Sequence, residues 1–126
     1  MVKITAEPID PSQVYGLIAV NGAGSVVLHC AVVKPVAGAG GTTSYIEFAS
    51  VGDTAAELDD IAGSLSAEFD LEDVVLIRRT GRIGLGEIIS LVAASSVSSE
   101  NSFGACKTAI SRLKKMKSIT KHEVCV

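Results

Sequence analysis

The fold is decided by residues 74–94, which read VVLIRRTGRIGLGEIISLVAA. Two apolar runs, 74–77 and 88–94, have the length and the aliphatic composition of strands buried in a sheet. The segment between them, 78–87, is charged and rich in glycine, so it interrupts the apolar pattern. The stretch therefore predicts two core strands separated by an irregular connection.

Further extended segments precede this stretch. Residues 2–8 alternate like a short strand, and Ser25 to Val33 is a nearly unbroken apolar run that suits a strand buried on both faces. Residues 44–50 return to extended chain. Glycine-rich segment 36–43 is expected to be a flexible loop, and a helical turn is expected from Pro11 to about Gly22.

Two amphipathic helices complete the pattern. Asp53 and Thr54 offer N-caps for the first, and Glu57 would complete a Thr-x-x-Glu capping box. Its predicted buried face consists of Leu58, Ile61, Ala62, Leu65 and Phe69. The serine-rich stretch 95–99 can cap the second helix. The predicted buried face of that helix consists of Phe103, Cys106, Ile110 and Leu113.

A last strand is expected after Lys117, where β-branched residues recur. Strands and helices are interspersed without βαβ regularity, which predicts an α+β domain with a mixed or mainly antiparallel sheet. The 126 residues contain no repeat or linker, so we expect one domain over 1–126. That length buries a core without help from metals or disulfides.

Composition excludes several classes of function. The net charge of -3 and the pI near 5.3 argue against a general nucleic-acid binder, and aromatic residues amount to only 4%. The start of the chain lacks the apolar core of a signal peptide, and no apolar run reaches the roughly 18 residues that span a bilayer. We expect a soluble cytoplasmic protein with no membrane or nucleic-acid partner.

Cysteines and histidines show no metal-binding spacing. Cys30, Cys106 and Cys125 are far apart and form no CxxC pair, which favours reduced thiols. Cys30 and Cys106 fall on apolar patterns and are expected to be buried structural thiols. His29 and His122 are isolated, so no zinc site is expected.

Motifs for nucleotide binding and serine hydrolysis fail on context. The glycines of 21–24 precede a predicted strand, whereas a dinucleotide fingerprint opens a helix. The glycines of 38–41 lack the lysine of a Walker loop. No Gly-x-Ser-x-Gly elbow exists.

Lys114 and Lys121 are the best candidates for chemistry, because they flank the junction between the second helix and the last strand. A fully solvated primary amine has a pKa of about 10.4 and is a poor proton acceptor at neutral pH. Apolar surroundings and neighbouring cations make an amine easier to deprotonate, and a lysine pair can also hold an anion. Solvation of a basic helix end is the alternative interpretation, and the spacing alone leaves all three open.

The order of these features resembles a known family. A glycine opening an apolar strand at Gly24, a capped helix, the segment RTGRIGLGE at 79–87, a serine-rich turn before Phe103, and the lysine pair with a Lys-x-Glu ending are similar to the catalytic, large subunit of molybdopterin synthase. The resemblance covers roughly residues 22–123. It implies an α/β hammerhead-like fold, a homodimer within a heterotetramer, and no cofactor.

The same resemblance implies a sulfur-transfer reaction. In the family, a small ubiquitin-like sulfur carrier inserts its Gly-Gly tail into the active pocket. The thiocarboxylate of that tail supplies sulfur to cyclic pyranopterin monophosphate, and the product carries the dithiolene of the molybdenum cofactor.

The resemblance also implies site residues. The family's two active-site lysines fall on Lys114 and Lys121, which are expected to be catalytic and to bind substrate, and Glu123 follows two positions later. Lys34 stands where the family usually has an arginine, and Ser98 and Ser99 stand where it has a His-Arg pair. The resemblance therefore implies that Lys34, Ser98, Ser99 and Glu123 bind substrate together with the lysine pair.

Other positions also depart from the family pattern. Arg78 replaces a common histidine and is interpreted as a solvated cation at a strand end. Ser118 and Thr120 replace a proline and a tryptophan. The resemblance thus leaves two hypotheses: a sulfurtransferase, or a non-catalytic homolog that acts as a dimeric binding module for the carrier or another partner.

Overall fold

The computed structural model describes residues 1–38 and 40–126. The described elements run in the order β1 Val2–Thr5, α1 Pro11–Val14, β2 Ser25–Val32, β3 Ala37–Gly38, β4 Gly41–Ser50, α2 Thr54–Phe69, β5 Asp73–Arg79, β6 Gly81–Gly84, β7 Ile88–Ser96, α3 Ser99–Lys114 and β8 Ile119–Cys125. Among these residues, no helix has both the length and the apolar character needed to span a membrane.

The larger sheet has the strand order β1-β5-β7-β2. Strand β1 runs parallel to β5, and the β5–β7 and β7–β2 pairs are antiparallel. The two apolar runs 74–77 and 88–94 lie in the central strands β5 and β7. Their apolar character on both faces follows from this position, because a central strand of a covered sheet buries both faces.

Both faces of the larger sheet are covered. Helices α2 and α3 pack on one face, where the buried residues include Leu58, Leu65, Val74, Leu76, Val92, Ala94, Ala105 and Ala109. The N-terminal segment around α1 packs on the other, where they are Val14, Ile18, Val75, Ile77, Leu91 and Ala93. Alternate residues of β5 and β7 therefore serve two separate clusters.

The smaller sheet is built around β4, which pairs antiparallel with both β6 and β8. Its core consists of Val33, Ile46, Phe48 and Ile83. The prediction of an α+β fold with a mixed, mainly antiparallel sheet is confirmed, and the strands are divided between two sheets. Strand β8 brings the C-terminal segment back against β4, beside the end of α3.

Segment 79–87 forms a tight connection from β5 through β6 to β7. Gly81 and Gly86 have φ of 88° and 78°, a region that favours glycine. The Glu87 carboxylate accepts hydrogen bonds from Arg79 Nη1 at 3.0 Å and from Gly84 N at 2.6 Å. The residues that carry much of the family resemblance therefore build the scaffold.

Strand β2 differs from the prediction. It was expected to be buried on both faces, and this is wrong: among the described residues, β2 is the edge strand of the larger sheet and pairs with β7 alone. Leu28 and Val32 are 37% and 48% exposed. An apolar run indicates a strand, but it does not distinguish a central strand from an edge strand that has exposed apolar residues.

The buried face of α3 also differs. Phe103 was predicted to be buried but is 63% exposed, so that prediction is wrong. The buried residues of the helix are Ser102, Ala105, Cys106, Ala109 and Leu113. These are mostly small residues, so the face nearest the sheet does not stand out as an apolar stripe. Gly104 faces the ring of Phe69 on α2, where a Cβ atom would come within 2.8 Å of Cε1.

Three local predictions need correction. Segment 36–43 was expected to be a flexible loop, but β3 and β4 form a hairpin there, with Ala37 opposite Thr42; Ala39 lies outside the described residues. Helix α1 ends at Val14, well before Gly22, and β1 ends at Thr5. Asp53 alone caps α2, accepting from Ala56 N at 3.0 Å, because the Glu57 carboxylate is engaged elsewhere.

Candidate functional site

A cavity of about 340 Å³ lies where α3 ends above the larger sheet and meets the smaller one. Its apolar wall consists of Ala31, Phe48, Ile89, Ile110, Leu113, Met116 and Ile119, and its polar residues are Arg78, Ser90, Lys114 and Lys121. The volume falls within the range of about 300–1,000 Å³ typical of small-molecule pockets. The apolar wall with three cations makes it a receptive site for an anionic organic ligand.

Lys114 is the last residue of α3, and its position follows from the burial of Leu113 beside it. The chain turns directly after it, where Lys115 N donates to the Arg112 carbonyl at 3.1 Å. A cation here interacts favourably with the negative end of the helix dipole. The side chain is exposed at the mouth of the cavity.

Lys121 comes from β8, where it pairs opposite Phe48 of β4. Ile119 lies two residues earlier and therefore on the same face of the strand. Both residues line the cavity. Folding therefore brings Lys114 and Lys121 to one cleft.

The turn between the two lysines is held by Glu57 of α2. Its carboxylate accepts from Lys117 N at 2.9 Å, Ser118 N at 3.0 Å and Ser118 Oγ at 2.5 Å. The hydroxyl of Ser118, followed by the two backbone amides, lowers the pKa of Glu57. A proline at this position, as the family usually has, could not donate the backbone hydrogen bond. Ser118, which replaces the family's proline, therefore donates hydrogen bonds to the Glu57 carboxylate through both its amide and its hydroxyl.

Arg78 was interpreted as a solvated strand-end cation, and this is wrong. The residue is 7% exposed, and its guanidinium carbon lies 4.3 Å from the centre of the Phe48 ring. Its Nε is buried without a hydrogen-bond partner among the described residues. Burial lowers the pKa of Arg78 to about 10, so it stays charged at neutral pH.

A sequence signal for this burial existed. In a strand, alternate residues share a face, so Arg78 follows Val74 and Leu76 onto the helix-covered side of the sheet. The strand phase places the guanidinium beneath the end of α3. The charge of arginine predicts an exposed side chain, and here the phase of the strand outweighs it.

Lys34 and Glu123 do not line the cavity. Lys34 is exposed just beyond the end of β2, next to the buried Val33. Glu123 is exposed on β8, opposite Ile46 and on the same face as Lys121 two residues earlier. In a single chain, the cations that line the cavity are therefore Lys114, Lys121 and Arg78, and Lys34 is not among them.

Ser98 and Ser99 lie at the far end of α3. The Ser98 hydroxyl caps the helix by accepting from Asn101 N at 3.2 Å, and Ser99 is its first residue. At 1.5 Å per residue, the helix separates Ser99 from Lys114 by about 22 Å. These serines and the lysine pair therefore cannot contact one small ligand within the same chain.

Comparison with known protein families gives one match. The profile described as MoaE protein matches residues 4–116, which is most of the chain and includes Lys114. The match ends before Lys121 and Glu123. A comparison with curated proteins found no match.

Solved structures share the fold. The chain is similar to a molybdopterin synthase from Staphylococcus aureus, with 25% identity and a TM-score of 0.88, covering 98% of this chain and 90% of that one. It is also similar to a molybdopterin biosynthesis MoaE protein from Burkholderia ambifaria, with 18% identity and a TM-score of 0.83, covering 96% of this chain and 80% of that one. A third similar structure is a complex of subunits 1 and 2 of molybdopterin-converting factor from Helicobacter pylori. It has 11% identity and a TM-score of 0.74, covering 98% of this chain and 84% of that one.

Proposed function

This chain belongs to the MoaE protein family, and from that premise we propose that it is the catalytic subunit of a molybdopterin synthase in molybdenum cofactor biosynthesis. It transfers sulfur from the thiocarboxylated tail of a small carrier protein to cyclic pyranopterin monophosphate. The observation that carries the proposal is the cavity in which Lys114 and Lys121 meet over an apolar wall.

The chemistry requires positive charge in two places. The thiocarboxylate sulfur attacks an oxygen-bearing carbon of the pterin side chain; as the C–S bond forms, the C–O bond breaks and the oxygen leaves protonated, giving a thioester. A second carrier repeats the reaction at the neighbouring carbon, because a dithiolene contains two sulfurs. Water then attacks the thioester carbonyl, and cleavage of the acyl C–S bond leaves sulfur on the pterin and a carboxylate on the carrier tail. An oxyanion develops on the acyl oxygen, and the substrate itself carries a phosphate.

Lys114 and Lys121 can place positive charge beside the thiocarboxylate and beside the substrate. We assign Lys114 to the incoming thiocarboxylate, because it stands at the exposed mouth of the cavity, and Lys121 to the pterin. Preorganised cations at a developing oxyanion lower the barrier, and removal of one such group typically costs about 10²–10³-fold in rate. An amine can also move the proton that water releases.

The partner in this proposal is a small ubiquitin-like sulfur carrier that ends in Gly-Gly. The Helicobacter pylori structure with the same fold is a complex of two subunits of molybdopterin-converting factor, which supports a two-subunit assembly. The extended tail would enter between Lys114 and Lys121. Glu123, on the same face as Lys121, would meet the tail or the substrate outside the cavity.

We also propose that the chain acts as a homodimer. The edge of β2 is open, and apolar Val97 and Phe103 are exposed beside its first residues. Because Ser98 and Ser99 are about 22 Å from the lysine of the same chain, they can bind substrate only in the cavity of a second copy. Lys34 is exposed outside the cavity of its own chain, so it too would bind substrate in the cavity of a second copy.

The test combines the purified chain with thiocarboxylated carrier and cyclic pyranopterin monophosphate and measures dithiolene product. Product is expected with the wild-type chain. Carrier binding without any product would contradict the proposal and select the binding module instead.

A further inference from the structure

We propose that Arg78 is the binding residue for the phosphate of the substrate, at the floor of the cavity. The inference rests on the proposed function for the identity of the ligand, while the anion site itself rests on geometry alone. Neither the family resemblance nor the motif at 79–87 pointed to this residue as part of a site.

The first argument is a buried charge without a partner. Arg78 is 7% exposed, and its guanidinium has no hydrogen bond or ion pair among the described residues. Buried arginines are almost always paired, because desolvating a charge is costly. The next residue, Arg79, is equally buried but bonds Glu87 Oε1 at 3.0 Å and the Arg82 carbonyl at 3.4 Å. Of two neighbouring arginines, one has its partner within the fold and the other lacks one.

The second argument is the place where the guanidinium lies. Arg78 of β5 pairs with Ser90 of β7, which pairs in turn with Ala31 of β2, and all three residues line the cavity. The small side chains of Ser90 and Ala31 leave space beside the guanidinium. Phe48 holds its other side at 4.3 Å, which restricts the plane of the group and prepares it for binding.

The third argument is the charge of the cavity. Its lining contains Arg78, Lys114 and Lys121 and no carboxylate among the described residues. Three cations facing one apolar-walled space leave a local positive potential, even though the whole chain carries -3. An oxyanion would supply the missing partner.

The depth of each cation in the cavity indicates whether it meets the carrier tail or the substrate phosphate. Lys114 and Lys121 are exposed, whereas Arg78 is buried against the sheet. A carrier tail arrives from outside and meets the exposed mouth of the cavity first, so the phosphate of the substrate is left to the buried floor while its pterin lies beside Lys121. A guanidinium grips a phosphate at two oxygens, which neither a lysine nor an imidazole can do.

The experiment measures anion binding directly by calorimetric titration and thermal melting, without turnover. The probes are inorganic phosphate and the dipeptide Gly-Gly, and the variants are Arg78→Met and Arg78→Lys. Arg82→Met is the matched control, because Arg82 also stacks on an aromatic ring, Tyr45 at 3.6 Å, but is exposed outside the cavity.

We expect phosphate to bind the wild-type chain and to raise its melting temperature. Arg78→Met should bind phosphate about 10- to 100-fold more weakly, which is the effect of losing a charge-assisted pair. Arg78→Lys should lie between the two, and Arg82→Met should match the wild-type chain. The unliganded melting temperature of each variant shows whether it is folded.

Absence of phosphate binding to the wild-type chain would overturn the inference, and so would equal binding by a folded Arg78→Met. An Arg78-dependent response to Gly-Gly in place of phosphate would also overturn it, by assigning the floor to the carrier tail. Failure of the proposed function is distinguishable, since it would appear as no dithiolene product from a wild-type chain that binds phosphate through Arg78.

Discussion

Arg78 shows at the scale of one residue how a binding site can lower stability. Burial lowers the pKa of Arg78 to about 10, which corresponds to a charge that costs the folded chain about 3 kcal/mol, and stacking on Phe48 returns up to about 2 kcal/mol. We predict that Arg78→Met raises the free energy of unfolding by about 1 kcal/mol in the absence of ligand. Urea unfolding of both chains measures the difference.

The pH dependence of that difference is a separate prediction. The pKa of Arg78 is lower in the folded chain, so the cost of its charge is present in full below about pH 10 and is relieved only as the pH rises above that value. The gap between Arg78→Met and the wild-type chain should therefore be constant from pH 6 to pH 9. A gap that closes within this window would contradict the assignment of the cost to a charged Arg78.

Cys106 gives a second prediction at this scale. Burial raises the pKa of Cys106 to about 11, and its Sγ lies 3.5 Å from the Val27 carbonyl. Because only thiolates react with alkylating agents, iodoacetamide at pH 8 should modify Cys106 at least about 10-fold more slowly than the half-buried Cys125. Peptide mass spectrometry of timed samples measures both rates, and equal rates would contradict the burial.

At the scale of elements, Glu57 ties the first turn of α2 to the turn that carries the lysines. We predict that Glu57→Ala lowers the free energy of unfolding by about 1–2 kcal/mol, because the amides of Lys117 and Ser118 lose a charged acceptor. Those two amides should also exchange with solvent faster. Loosening of the turn should reduce sulfur transfer about 10-fold, since Lys114 and Lys121 flank it.

The pH dependence and a control define this test further. The pKa of Glu57 is lowered in the folded chain, so its contribution is present above the unfolded value of about 4.3 and is lost as the pH falls through the folded value. The effect of Glu57→Ala on stability should therefore shrink in acid. Asp60→Ala, which removes an exposed charge from the same helix, should leave activity unchanged. Equal effects of the two substitutions would disprove the role of the turn.

Whole elements could be predicted better than their surroundings. Continuous apolar runs identified β5 and β7, the helical period of apolar residues identified α2, and recurring β-branched residues identified β8. The same patterns could not show that β2 lies at an edge or that Phe103 faces outward. Both depend on which neighbours cover a surface, and small residues such as Ala105 and Ala109 pack closely without marking a face.

At the scale of the whole molecule, the exposed apolar surface predicts self-association. Val97 and Phe103 are 80% and 63% exposed, and they flank the start of β2, where Gly24 N donates to the Ser96 carbonyl and Ser102 Oγ to that of Ser25. Light scattering should give a mass near twice 13.0 kDa, and Phe103→Asp should shift it towards the single chain. A dimer unaffected by Phe103→Asp would place the interface elsewhere.

The candidate site was predictable only in part. The helix-to-strand junction singled out Lys114 and Lys121, but their spacing alone left solvation of a basic helix end open, and the family resemblance supplied the expectation of a shared site. Arg78 escaped prediction because its charge indicated an exposed side chain, although the strand phase places it with Val74 and Leu76 on the helix-covered side of β5. The contact of Glu57 with the amides of Lys117 and Ser118 was not predicted, because a glutamate at this position is equally consistent with a capping box within α2.

The central claim is that sulfur transfer takes place in the cavity shared by Lys114 and Lys121. Its most direct test is the single-turnover rate of sulfur transfer from thiocarboxylated carrier to cyclic pyranopterin monophosphate. Lys114→Ala and Lys121→Ala should each be slower by about 10²-fold or more, while Lys107→Ala, an exposed lysine on α3 outside the cavity, should keep the wild-type rate. Wild-type rates in both cavity variants would contradict the account.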